Sequence, residues 1–87
     1  MYVHIGNNYF VNSKDIVAIF DVMVLEKQNS LENICKNLKI SDKIVDISEG
    51  NKKSFILIHK NNQTIGYISN ILATTIGKRA IKYQRVK

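Results

Sequence analysis

The chain has no proline and no tryptophan, one cysteine and four glycines among 87 residues. Without proline no turn has a locked φ and no X–Pro bond can isomerise, so turns must come from Gly, Asn, Asp and Ser. A single cysteine, Cys35, excludes an intrachain disulfide, and no His or Cys spacing suggests a metal cluster, which points to a cytoplasmic protein. No apolar run approaches the roughly 18–20 residues of a membrane span. The opening "MYVHIGNNYF" lacks the basic start and long apolar core of a signal peptide. Glycines 6, 50, 66 and 77 form no phosphate-cradling motif. The most informative absence is acidic: from Asn51 to Lys87 there is no Asp or Glu.

That absence makes the net charge of +6 lopsided. Residues 1–50 carry five lysines against seven acids, whereas residues 51–87 carry eight Lys or Arg and no acid. A basic surface also keeps small proteins soluble, but solubility does not require the signs to be sorted by segment. The sorting points to a polyanionic partner, nucleic acid before an acidic membrane surface.

At this length the chain is a single small domain over 1–87, with 81–87 as a tail prone to fraying. "YVHI" (Tyr2–Ile5), "GNN" and "YFVN" (Tyr9–Asn12) read as a hairpin. "SKD" is a polar break. "IVAIF" (Ile16–Phe20) reads as a strand covered on both faces. A short helix across "SKDIVAIFD", capped by Ser13, is the alternative; stiff β-branched and aromatic residues favour the strand. Asp21–Lys27 is a connection. Leu31, Ile34, Cys35 and Leu38 form a helical stripe behind an Asn29 cap. Lys43–Ser48 and Ser54–Lys60 read as a second hairpin around "EGNKK", followed by a strand over Thr64–Ser69. A tail helix follows, with Leu72, Ile76, Ala80 and Tyr83 on one face and Ser69 or Asn70 as cap. The fold class is α+β: a mainly antiparallel sheet of five or six strands with one or two helices. The expected core is Val3, Ile5, Val11, Ile16 and Ile19, then Leu31, Ile34, Leu38 and Val45, then Ile56, Ile58, Ile65, Ile68, Leu72 and Ile76.

No residue set carries catalytic chemistry. His4 and His59 lie in or beside strands and far in sequence from other ligand types. Cys35 is a helix-stripe thiol, and Asp15 and Asp21 flank an apolar run without a pocket. No enzyme activity, cofactor, metal or small-molecule substrate is expected. The basic residues are the candidates. Lys52 and Lys53 sit in a turn, Lys14 in the polar break, and Lys78, Arg79, Lys82 and Arg85 in the tail helix. If these converge they make a positive band for phosphates. Tyr2, Tyr9, Phe10, Phe20, Phe55, Tyr67 and Tyr83 are scattered, mostly at plausible core positions, so no platform for stacking single-stranded bases is expected.

The segments "HIGNNYFV", "SKDIVAIFD", "SEGNKKSFILI" and "TIGKRA" together resemble the extracellular matrix regulator family of bacteria, the RemA/RemB group, from about Met1 to Ala80. The RemB branch is the nearer. The resemblance implies a cytoplasmic, LytTR-like DNA-binding protein. In the RemA branch such proteins assemble into rings and activate biofilm-matrix genes. It also implies DNA-binding positions: Lys52 matches an arginine of the turn, Ser54 stands where another would be, and Lys14 lies near a third basic position. Lys53–Ser54 and Lys78–Arg79 match the RemB-branch pattern. The RemB branch commonly has proline at the positions of Lys52 and Asn70, so the chain departs there. Lysine in place of arginine favours phosphate contact over bidentate reading of guanine. The expected function is a homo-oligomeric regulator binding duplex DNA through Lys14, Lys52, Lys53, Ser54, Lys78 and Arg79. The alternative is an interaction module for an acidic protein partner.

Overall fold

The computed structural model describes residues 1–27, 33 and 43–84, the last four by their backbone path. The expected helix around Leu31–Leu38 lies outside the described residues. Strands β1 (Tyr2–Gly6) and β2 (Tyr9–Asn12) form the first hairpin. Its turn uses Gly6, Asn7 and Asn8 at positive φ, a region that glycine and asparagine tolerate. Period-2 alternation sends Val3, Ile5 and Val11 into the interior. The polar break is a 3-10 turn, Ser13–Asp15, in which the Asn12 side chain accepts from the Lys14 N–H at 3.2 Å.

Strand β3 (Ile16–Asp21) confirms the strand reading of "IVAIF", but not its coverage. The second sheet runs β3-β5-β6-β4, with β4 as Ile44–Asp46, β5 as Ser54–Lys60 and β6 as Gln63–Ser69, so β3 is an edge. Its register with β5 shifts between Ile16 and Ala18, leaving Val17 at a bulge and 64% exposed. The segment read as a connection is a short helix, α1 (Val22–Lys27). The Asp21 carboxylate accepts from the Met23 N–H at 2.9 Å, and Val22 and Leu25, three apart, are buried.

The second expected hairpin is corrected. Strand β4 does not pair with β5; it pairs in parallel with β6, Ile44 opposite Gly66 and Asp46 opposite Ile68. Strand β5 already has both neighbours, β3 on one side and β6 on the other through a two-residue Asn61–Asn62 turn. Strand β4 takes the outer edge of β6, so the "EGNKK" segment is a crossover past β6 and not a hairpin tip.

The run "FILI" is continuous because β5 is covered on both faces. Ile56 and Ile58 join Val3, Ile5, Val11, Ile47, Ile76 and Ala80 in one cluster. Phe55 and Leu57 join Val22, Leu25 and Ile68 in the other, beneath α1. Burying a side chain of this size contributes about 1.5–3 kcal/mol. Of the expected core, Ile16, Ile19, Val45 and Ile65 are half-buried and packed against the first cluster, and Ile68 faces the second. Leu31, Ile34 and Leu38 lie outside the described residues. Helix α2 (Ala73–Gln84) covers the first cluster with Ile76 and Ala80. Leu72 is 53% exposed, against expectation. Its carbonyl accepts the Ile76 N–H, so it precedes the first helical residue and lies off the buried face. The Ser69 hydroxyl, one of two expected caps, donates to the Ile5 carbonyl and accepts from the Ile71 N–H. It fastens the helix entry to β1.

Two glycines should respond oppositely to alanine. At Gly6 (φ +118°) a Cβ would meet Asn70 Oδ1 at 3.1 Å and Ser69 Oγ at 3.3 Å. Gly6→Ala is expected to cost about 1–3 kcal/mol. At Gly77, inside α2, a Cβ meets nothing within 4 Å, so Gly77→Ala should gain up to about 1 kcal/mol. Equilibrium denaturation of both variants checks this pair.

Candidate nucleic-acid interface

The crossover between β4 and β5 carries Lys52 and Lys53, and its backbone is tied at several points. The Ile47 N–H donates to the Ile68 carbonyl at 2.8 Å, extending the β4–β6 ladder. Ser48 is fully buried, and both its N–H (2.9 Å) and its hydroxyl (2.6 Å) donate to Asp46 Oδ1. Glu49 and Gly50 turn the chain at positive φ, and the Asn51 N–H closes the turn onto the Ser48 carbonyl at 3.1 Å. The Lys53 N–H donates to Ser69 O at 2.8 Å, while its carbonyl accepts from the Val22 N–H at 3.0 Å. Lys53 is thus clamped between β6 and the start of α1, with its side chain half-buried, and Lys52 stands exposed beside it.

These lysines have acids near them. The Asp46 carboxyl is held below its ordinary 3.8, first by the Ser48 hydroxyl, then by the Ser48 N–H and more weakly by the positive charge of Lys52, with partial burial opposing. Glu49 lies in the same turn. Charges sorted along the chain are therefore mixed in space at this loop.

The other candidates are distributed over the molecule. Ser54 is 0% exposed, and its hydroxyl is a buried polar atom with no hydrogen-bond partner among the described residues. The first residue of β5 is sealed between Asp21 and Ser69, so its side chain is not presented on the surface of the subunit as Lys52 is. Arg79 is half-buried and donates from Nη1 to the His4 carbonyl at 2.8 Å, so it fastens α2 to β1. Lys78 is exposed on α2. The side chains of Lys82 and Arg85 lie outside the described residues. Lys14 is exposed but lies at the opposite end of the sheet. Asp21 pairs with Ser54 and Ile16 with Ile58, so the turn before β3 sits by the far end of β5. Seven residues of strand separate these ends by about 20 Å. Among the described residues, Lys14 and Lys52 therefore do not lie in one band within a subunit.

Sequence reading also missed three exposed aromatics, Tyr2, Tyr9 and Phe10. The signal was present for two of them: if Val3, Ile5 and Val11 point inward, alternation turns Tyr2 and Phe10 outward. The Tyr9 and Tyr67 rings lie 5.8 Å apart, and burial, with a smaller contribution from Tyr9, pushes the Tyr67 phenol above its usual range. Among the described residues no three His, Cys, Asp or Glu side chains converge as metal ligands, and no helix is long and apolar enough to cross a membrane.

The Asp46–Ser48 lock is testable. A lowered carboxyl contributes stability above its unfolded value, and that stability is lost as pH falls through the folded value. Ser48→Ala should move the Asp46 titration up toward 3.8 and cost about 1 kcal/mol at neutral pH, with the difference from wild type shrinking as pH falls below 3.8. Carboxyl NMR titration and a denaturation series across acid pH measure both.

A family model described as RemA-like, extracellular matrix regulatory protein A-like, matches residues 2–80. Extracellular matrix regulatory protein B of Bacillus subtilis (strain 168) is 32% identical over 80 residues, covering 92% of this chain and 90% of that protein. The chain belongs to the extracellular matrix regulatory protein family.

Proposed function

We propose that this protein is a transcriptional regulator that binds duplex DNA, mainly through phosphate contacts, as a homo-oligomer. It acts by binding and not by catalysis, in the cytoplasm where its target lies. The observation that carries the reading is the crossover loop. Lys52 is exposed on a backbone tied to β6, to α1 and to itself, so its ammonium is presented with little ordering cost. Family membership supports a regulatory role.

One subunit offers few such contacts, and assembly multiplies them. Exposed apolar side chains on both edges of the larger sheet favour assembly: Val17 on β3 and Ile44 on β4, with Met23 and Val24 on α1. The two edges are different surfaces, so a contact between them is head-to-tail, the kind that closes into rings. Sequence preference then comes from how readily a duplex bends along the assembly.

A second reading has its own observation. Asp46 and Glu49 beside Lys52 make a surface of mixed sign, which weakens its pull on a uniform polyanion and suits a protein partner that sets single acidic side chains against the lysines. Retention on DNA-cellulose separates the two: a DNA binder elutes well above physiological salt, and an interaction module appears in the flow-through. The finer test is the salt dependence of duplex binding. Lys52→Ala should flatten the log–log slope by about 0.9 for each phosphate contact removed, while Ser54→Ala should leave it unchanged. An unaltered slope for Lys52→Ala takes the crossover loop out of the interface.

A further inference from the structure

The first hairpin is a sheet of its own, held over the larger sheet by apolar packing and by the Ser69 hydroxyl on the Ile5 carbonyl. One aromatic contact also spans the two sheets. The Tyr9 ring on β2 lies 5.8 Å, centre to centre, from the Tyr67 ring on β6, with the planes tilted by 58°. Gly6 stands opposite Tyr9 across the hairpin and offers no side chain for the ring to pack on. Tyr67, flanked by Val45 on β4 and Ile56 on β5, is half-buried and packed against the first cluster. Tyr9 is 40% exposed. Among the described residues this is the one pair of tyrosines whose rings are in contact.

Neighbouring phenols have an oxidation chemistry that isolated ones lack. The chain has no tryptophan, so tyrosine is its most readily oxidised aromatic side chain toward a one-electron oxidant. A phenol that gives up one electron and one proton becomes a phenoxyl radical, with unpaired spin on the ring carbons beside the oxygen. Two such rings held side by side meet without a diffusional encounter. Tyr9 gives the pair its access to solvent, and Tyr67 is the fixed partner. The Tyr67 phenol, pushed above its usual range first by burial and then by Tyr9, enters the reaction protonated.

We propose that Tyr9 and Tyr67 form a modification site, coupled into a dityrosine when a peroxidase and hydrogen peroxide supply the oxidant. Each phenol gives up one hydrogen atom, as an electron and a proton. One carbon–carbon bond forms between the ring carbons adjacent to the two oxygens. The hydrogens on those carbons then move to the oxygens and restore both phenols. The peroxide takes up the two electrons and two protons and leaves as two waters. The new bond ties β2 to β6, so the packing of the hairpin on the sheet becomes covalent and the hairpin no longer lifts from the core. The site is an oxidant-set clamp on the fold. It goes beyond the regulatory reading and does not depend on it.

The test uses the whole chain, a peroxidase and stoichiometric hydrogen peroxide. Blue dityrosine fluorescence and a chain mass lower by two hydrogens are expected. After trypsin cleavage, peptides 1–14 and 61–78 should appear as one joined species, with tandem mass spectrometry placing the bond on Tyr9 and not on Tyr2. Heavy-isotope-labelled and unlabelled chains, unfolded together and refolded before oxidation, should give only same-label pairs. Tyr9→Phe and Tyr67→Phe should each abolish the joined species, and Tyr2→Phe should leave it. Phenylalanine keeps the ring, so these variants should retain the wild-type circular dichroism. The link closes a long loop in the unfolded chain, so the coupled protein should melt about 10 °C above equally treated Tyr9→Phe, which controls for methionine oxidation. Mixed-label pairs, a bond on Tyr2, a joined species that persists in Tyr9→Phe, or an unraised melting temperature overturns the proposal. No nucleic acid enters the experiment, so failure of the regulatory reading leaves its outcome intact.

Discussion

Two-sided burial of β5 is the constraint on which the rest of the molecule depends. Phe55, Ile56, Leu57 and Ile58 are all buried, alternately into two clusters. Both of the strand's edges are also paired, with β3 and with β6. A strand so enclosed has no solvent-facing side on which to slip, because a shift by one residue would exchange the two faces and mismatch both packings. The first hairpin and α2 are held by one face, and α1 by the other. The ends of this strand then fix where the basic residues appear: Lys52 and Lys53 enter it, and Lys60 leaves it.

Much of this was legible in the sequence. Alternation in β1 and β2, the apolar run of β5 and the Ile76–Ala80 spacing of α2 are short-range signals, and each gave the right element. The misses came from partners that no local pattern encodes. "IVDIS" and "SFILI" flank a glycine turn and read as a hairpin, yet tertiary pairing places β6 between them. Val17 looked buried because its neighbours are apolar, but a bulge on an edge strand turns it out. Leu72 fits a helical stripe by spacing alone and fails because the helix begins one residue later.

The candidate site was legible in composition and not in space. The acid-free second half of the sequence invited a picture of gathered cations. Folding instead sets Asp46 beside Lys52, buries Ser54, ties Arg79 to the His4 carbonyl and carries Lys14 to the far end of the sheet. Linear charge counts average over such rearrangements. They report that a polyanion would be attracted, and only register reports where it could lie.

The parallel pairing of β4 with β6 has a consequence for how this protein can be dissected. The lysine-bearing crossover owes its shape to Ser69 on one side and Val22 on the other, residues 16 positions after and 31 positions before Lys53. A synthetic fragment of the loop with its flanking strands would lack both anchors and would keep the charge without the geometry. Presentation of these ammonium groups is a property of the intact domain, so cooperative melting would withdraw all of them at once.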